Sequence, residues 1–247
     1  MNTFLEINNV RKYYGTKEAL KGVSLSINAG EIVGLLGVNG AGKTTLSNII
    51  ATLCPASSGD ITFHGRSIYE DVTGYRMHIG YCAQTNNLNR MLTLEENLLQ
   101  AGRYYGMDEV SLKNRLEELS QQLSLHEYLK YRPDMLSGGF RQRFMIARSL
   151  MHKPSLVILD EPTVALDPHI RHQLWELIKN LKQQGISVLL TTHYLDEAEY
   201  LSDRVCVLHN GEVLVTDTPQ NLKDQYTKGR LEEVFLKLID DKNESAA

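Results

Sequence analysis

Apolar residues along this chain recur with two different spacings. Glu31-Ile32-Val33-Gly34-Leu35-Leu36, Leu156-Val157-Ile158-Leu159, Ser187-Val188-Leu189-Leu190 and Arg204-Val205-Cys206-Val207-Leu208 are short apolar runs, the pattern of buried strands. From about Leu5 to Asn28 the pattern alternates instead, as in Val23, Leu25 and Ile27, which predicts paired strands and a hairpin. Ile61-Thr62-Phe63 and Ile79-Gly80-Tyr81 predict further strands, and Asn210-Gly211 a hairpin turn. Helical spacing appears in Thr45–Leu53 and in the stripe Leu112, Leu116, Leu119, Leu123. Thr93-Leu94-Glu95-Glu96 is a capping box opening a helix that Gly106 closes. Asp167-Pro168 opens another, ended by Gly185. Leu231, Val234, Phe235 and Leu238 form an apolar face near the end, read as packing on its own domain.

Helices crowd residues 88–150 and strands lie on either side, so that segment reads as an inserted helical subdomain. The expected class is α/β: a mostly parallel sheet, an N-terminal antiparallel β subdomain and the helical insertion. One domain over residues 1–240 and a polar tail over 241–247 account for the chain. Its 247 residues suit one large domain, and 42% apolar residues supply a core. A net charge of −4 and a pI near 6.1 argue against a nucleic-acid binder. Cys54, Cys82 and Cys206 are far apart and make neither a disulfide scaffold nor a zinc site, the pattern of a reducing cytosol. Polar residues at Met1–Glu6 exclude a signal peptide, and no apolar run approaches the ~20 residues needed to cross a bilayer. Any work at a membrane then requires another chain to span it.

Three motifs carry chemistry. Gly37-Val38-Asn39-Gly40-Ala41-Gly42-Lys43-Thr44 lies between a buried strand and a helix, an arrangement that turns backbone N–H groups and a helix N-terminus toward a phosphate. This predicts nucleoside triphosphate binding. The strand Leu156–Leu159 ends in Asp160-Glu161-Pro162. Ligands of open α/β sheets lie at the carboxyl ends of the strands, so both carboxylates are expected beside the phosphate loop. Asp160 is then placed to hold Mg²⁺ and Glu161 to accept a proton from an attacking water. Leu136-Ser137-Gly138-Gly139 precedes a helix, with Ser137 as N-cap and two glycines permitting close approach to a ligand, a second anion-binding helix start.

These motifs, in this order and followed by Ala165-Leu166-Asp167 and His193, resemble those of the ATP-binding-cassette ATPases from about Leu5 to about Val215. The resemblance implies ATP and Mg²⁺ as ligands and a role for each matching position. Tyr14 would stack on adenine, with Tyr13 the competitor. Gly37 to Thr45 would cradle the phosphates, Lys43 meeting the β- and γ-phosphates and Thr44 ligating Mg²⁺. Gln84 would join the core to the helical subdomain and sense metal and water. His193 would hold the γ-phosphate and position Glu161, and Asp167 would communicate across a dimer. Ser137, Gly138 and Gly139 would reach the nucleotide of a second copy. With one set of motifs per chain, a homodimer is the simplest arrangement and a heterodimer fits equally well.

Three departures stand out. Phe140 replaces the usual glutamine and is expected to be a packing variant. Ala165 stands where glycine is more usual, and Cys82-Ala83 precede Gln84 atypically. The C-terminal segment, Glu161-Pro162-Thr163-Val164 and Thr192–Ala198 resemble the ATPases of two-component ABC-2-type exporters. A chain that stops here lacks the regulatory domain many importer subunits carry. The expectation is therefore an exporter ATPase on the cytoplasmic face of the cell membrane, working with separate integral permease subunits. The alternative is a non-transport cassette ATPase, for example in metal-cluster assembly.

Overall fold

The alternating N-terminal strands and the continuous apolar runs fold into two separate sheets. The computed structural model describes residues 3–226 and 229–246; Met1 and Asn2, where the reading against a signal peptide begins, and Ala247, the last residue of the expected tail, lie outside these. Along the chain, β1 (Thr3–Tyr14), β2 (Lys17–Asn28) and β3 (Ile32–Leu36) lead into α1 (Lys43–Ile50). β4 (Ser58–Phe63), β5 (Arg66–Ser67), the short α2 (Val72–Arg76) and β6 (Ile79–Cys82) follow. The helical segment contains α3 (Leu94–Tyr104), α4 (Glu109–Gln122) and α5 (Gly138–Leu150). Next come β7 (Leu156–Asp160), α6 (Pro168–Gln183), β8 (Ser187–Thr192), α7 (Leu195–Leu201), β9 (Arg204–His209), β10 (Glu212–Asp217), α8 (Pro219–Tyr226) and α9 (Leu231–Ala246).

The alternating N-terminal strands make an antiparallel sheet in the order β2-β1-β4-β5, and the apolar runs make a second sheet in the order β10-β9-β3-β8-β7-β6. In the second sheet only β10 runs antiparallel to its neighbour. Strands β3, β7 and β8 are buried along their whole length because both faces are covered. Alternation decides which cover each residue meets. Val157, Leu159, Val188 and Leu190 face the core of the helical subdomain and α6, whereas Leu156, Ile158, Leu189, Val33 and Leu35 face α1 and the antiparallel sheet. Burying each such leucine fully stabilises the fold by about 1.5–3 kcal/mol.

The capping box at Thr93 forms as expected: the Thr93 hydroxyl accepts from Glu96 N at 3.2 Å and Glu96 accepts from Thr93 N at 2.7 Å. Arg115, buried on α4, donates to the Leu150 carbonyl at 3.2 and 2.9 Å, beside Lys153 N at 3.1 Å, and so ties α4 to the end of α5. The C-terminal helix packs its apolar face at Leu231, Val234 and Leu238 against Leu36, Val205 and Val207. From Asp241 to Ala246 the residues read as a polar tail continue this helix. Polar residues at these positions do not by themselves distinguish a helix end from a loose tail.

Candidate nucleotide-binding site

Strand order brings the motifs together. Parallel neighbours β3, β8, β7 and β6 end on the same edge of the sheet, and the segments leaving them carry the phosphate loop, His193, Glu161 and Gln84 respectively. Gly42 stands at the N-cap of α1 with φ 111°, a backbone state closed to other residues, and a Cβ there would lie 2.8 Å from Leu20 Cδ2. The loop is closed internally by Ala41 N donating to Val38 O at 3.1 Å and is held from two sides: Gly37 N donates to Thr192 O at 3.3 Å, and Gly211 N to Ala41 O at 2.9 Å. A cleft of about 680 Å³ opens over it, lined by Tyr14, Asn39, Gly40, Gly42, Lys43, Thr44, Thr45, Gln84 and Glu161 among others. Tyr13 is not in this wall and donates its hydroxyl to Glu18 at 2.7 Å, so Tyr14 is the aromatic at the cleft.

Glu161 is the hub of the site. Its Oε1 lies 3.2 Å from Lys43 Nζ and 3.3 Å from His193 Nδ1, and its Oε2 accepts from Gln84 Nε2 at 2.9 Å. Contact with His193 is one of proximity, since Nδ1 forms no hydrogen bond of ordinary geometry. Lys43 also donates to the carbonyls of Gly37 at 2.8 Å and Val38 at 3.2 Å, folding its charge back on the loop. Glu161 sits at φ 48°, a left-handed state unusual outside glycine; its N–H is shared between the carbonyl and hydroxyl of Thr191, at 3.1 and 3.0 Å.

Asp160, the last residue of β7, accepts from Thr191 Oγ1 at 2.5 Å and from Thr44 Oγ1 at 3.2 Å, both on Oδ1. Its Oδ2 is buried with no partner. Burial pushes this carboxyl above the ordinary carboxylate range, against the donation from Thr191 and Thr44. A buried, partnerless acidic oxygen beside a threonine hydroxyl is an oxygen donor set suited to a hard cation, so Asp160 and Thr44 fit Mg²⁺.

The serine-glycine motif is elsewhere. Ser137, Gly138 and Gly139 do not line the cleft. Ser137 occupies the N-cap position of α5, yet its side chain makes no capping bond. Gly139 is required by its own chain, because a Cβ there would lie 2.3 Å from Ile170 Cγ2; the absent side chain permits α5 and α6 to touch. Asp167 caps α6, accepting from Ile170 N at 3.1 Å, and so lies beside that contact. Ala165 takes φ 61°, the left-handed state in which glycine is unstrained. Phe140 packs on Tyr128 with ring centroids 4.2 Å apart, in keeping with its reading as a packing residue. Thr191, Lys17, Glu18, Ala19 and Asn210 belong to the site or its walls and were not foreseen. Of these only Thr191 carried a signal, as a polar residue ending an apolar strand directly before Thr192-His193.

Comparisons with known proteins agree with this geometry. The family model described as ABC transporter matches residues 20–164. The chain is 39% identical over 218 residues to the linearmycin resistance ATP-binding protein LnrL of Bacillus subtilis, covering 88% of this chain and 70% of that protein. It is 37% identical over 231 residues to Nod factor export ATP-binding protein I of Rhizobium sp. (strain N33), covering 94% of this chain and 76% of that protein. Among solved structures, an ATP-binding subunit of an ABC transporter superposes with a TM-score of 0.86 at 33% identity, over 96% of this chain and 100% of that one. A cassette solved as a dimer in a post-hydrolysis state with ADP and Pi superposes at 0.79 and 30% identity, over 87% and 98% of the two chains. With a phosphate loop, two carboxylates and a histidine on one sheet edge, and these relatives over most of its length, the chain belongs to the ATP-binding-cassette transporter family as an ATP-hydrolysing subunit.

Proposed function

We propose that this chain drives export through separate membrane subunits, hydrolysing ATP at a site completed by a second copy or a close homologue. The position of Glu161 carries the hydrolytic part of the reading. Its carboxylate is held by Gln84 and flanked by Lys43 and His193 at the mouth of the phosphate loop, where a water attacking the terminal phosphate must lose a proton. Lys43 leaves Glu161 for the β- and γ-phosphates, which frees the carboxylate to accept that proton. Tyr14 presents its ring to adenine, and the loop from Gly37 to Thr45 donates backbone N–H groups to the phosphates. His193 orients the γ-phosphate and Glu161. Thr44, Asp160 and Gln84 would hold Mg²⁺, which supplies charge neutralisation on the phosphates when bound.

Ser137, Gly138 and Gly139 stand outside the cleft of their own chain, which supports their use on the nucleotide of a partner, with Asp167 beside the same corner. Export is in the name of the Nod factor relative, and among the described residues no helix is long and apolar enough to cross a membrane, which supports a reading in which separate permease subunits span the bilayer. Met91 and Tyr104 on the helical subdomain are 77% and 80% exposed and offer apolar surface for such a partner. Tagged protein purified from detergent-solubilised membranes should bring down an integral membrane protein in stoichiometric amount. Recovery only with soluble assembly proteins would refute the export reading while leaving ATP hydrolysis intact.

A further inference from the structure

Between Asp160, which ends β7, and Asp167, which caps α6, six residues form a loop with two non-glycine positions, Glu161 and Ala165, in the left-handed region. Its internal backbone bonds are long: Val164 N to Glu161 O and Leu166 N to Thr163 O are both 3.3 Å. Such a conformation persists only where its surroundings impose it. The short anchor is a side chain. Thr163, wholly buried, donates its hydroxyl to Glu197 Oε1 at 2.7 Å.

Glu197 lies on α7, four residues after His193, and is itself 0% exposed. The same Oε1 accepts from Trp175 Nε1 on α6 at 2.8 Å. Its Oε2 has no partner of ordinary geometry, although the Thr192 hydroxyl is near enough to favour the ionised form. Arg171, the cation felt at Glu197, pairs with Asp196 instead, at 3.4 Å. Burial pushes the Glu197 carboxyl above the usual range, against donation from Thr192, Thr163 and Trp175. A buried carboxyl lacking a direct counter-ion does little for stability that an apolar residue would not do better. What it joins is informative: the loop after Glu161, the helix capped by Asp167, and the helix that starts just after His193.

We propose that Glu197 is a positioning residue for hydrolysis, which fixes Glu161 through Thr163 and keeps it in register with His193 and Asp167. It does not line the cleft. The inference rests on Glu161 being the proton acceptor.

The test uses the full chain, with kcat, KM for ATP and melting temperature measured for each variant. Thr163→Val keeps the volume and puts a methyl in place of the hydroxyl; kcat should fall roughly tenfold to a hundredfold, as a small misplacement of a reacting group does, with KM near wild type and a melting temperature lowered but still well above the assay temperature. Glu197→Gln keeps an acceptor oxygen for Thr163 and Trp175 and should retain most of the wild-type kcat. In a Glu161→Gln background, Thr163→Val should cost nothing further in single-turnover hydrolysis, because the group it positions is already gone. Wild-type kcat in Thr163→Val overturns the proposal. A full additional loss in the Glu161→Gln background also overturns it, since Thr163 would then act by another route. Wild-type turnover in Glu161→Gln alone would instead refute the proton acceptor itself.

Discussion

Replacing Glu161 by glutamine should have two opposite effects, one on chemistry and one on binding. The amide keeps the shape and can still meet Gln84 or Lys43, but it cannot take a proton from water. Loss of a general base costs roughly 10²–10⁴-fold in rate, or about 3–5 kcal/mol of barrier. Binding should move the other way. Lys43 Nζ lies 3.2 Å from Glu161 Oε1, and both side chains are nearly buried. At an effective dielectric of about 20, that separation corresponds to an attraction of about 5 kcal/mol. Much of this is offset by the desolvation of the two charges, leaving a smaller net term. ATP must draw Lys43 out of that pair, and it must also enter against the charge of the carboxylate. Without the carboxylate, affinity for Mg-ATP should rise by about tenfold, or ~1.4 kcal/mol. Titration calorimetry on the variant, against wild type with a non-hydrolysable analogue, measures the affinity; single-turnover hydrolysis measures the chemistry. Weaker binding by Glu161→Gln would refute the competition for Lys43, and turnover near the wild-type rate would refute the role in catalysis.

Lys43→Ala removes the charge that meets the phosphates and also leaves Glu161 buried without its cation, so ATP affinity should fall with a loss of stability of up to about 3–5 kcal/mol, read by calorimetry and chemical denaturation. Ala165→Gly relieves a left-handed φ of 61° and should leave the melting temperature unchanged or slightly raised; a clear drop would show that the loop is not strained there. His152, stacked on Tyr105 at 3.6 Å with Nε2 2.9 Å from the Ile79 carbonyl, has its pKa pushed down from 6.5 to about 4 by burial. Since the unfolded chain takes up that proton first, its contribution to stability is complete above about pH 6.5 and is lost as pH falls toward 4. His152→Gln, which can still donate to Ile79, should therefore flatten the pH dependence of denaturation between those values.

Periodicity made the elements of this chain legible because nearly all of them bury a continuous stripe or a complete run. The apolar strands at Ile32, Leu156, Ser187 and Arg204 and the capped helices at Thr93 and Asp167 could be placed from their own residues. Boundaries depended on contacts. The helix after the phosphate loop starts at Lys43 rather than Thr45, because Gly42 at φ 111° sets its cap. Polar residues after Asp241 read as a tail, but one apolar face upstream was enough to carry the helix through them. In the site, motif residues were visible by their order along the chain. Thr191 left only a faint trace, as a polar residue late in an apolar strand, and Asn210 and Glu197 left none, since a turn asparagine and an acid on a helix have no distinctive spacing. Gly139 shows a different limit: its glycine could be read as serving a ligand, while Ile170 of its own chain already requires it.

On the shared-site reading, hydrolysis needs Ser137 from the opposite chain. Ser137→Arg places a bulky cation outside the nucleotide cleft of its own chain, so binding of ATP to the monomer should survive while ATP-driven dimerisation and hydrolysis are lost. Mixing that variant with Lys43→Ala produces dimers in which one site carries both lesions and the other carries neither, and hydrolysis should partly return. ATP turnover by Ser137→Arg alone is the measurement that decides: near-zero turnover with intact nucleotide binding is the result expected, and hydrolysis at the wild-type rate would contradict a shared site.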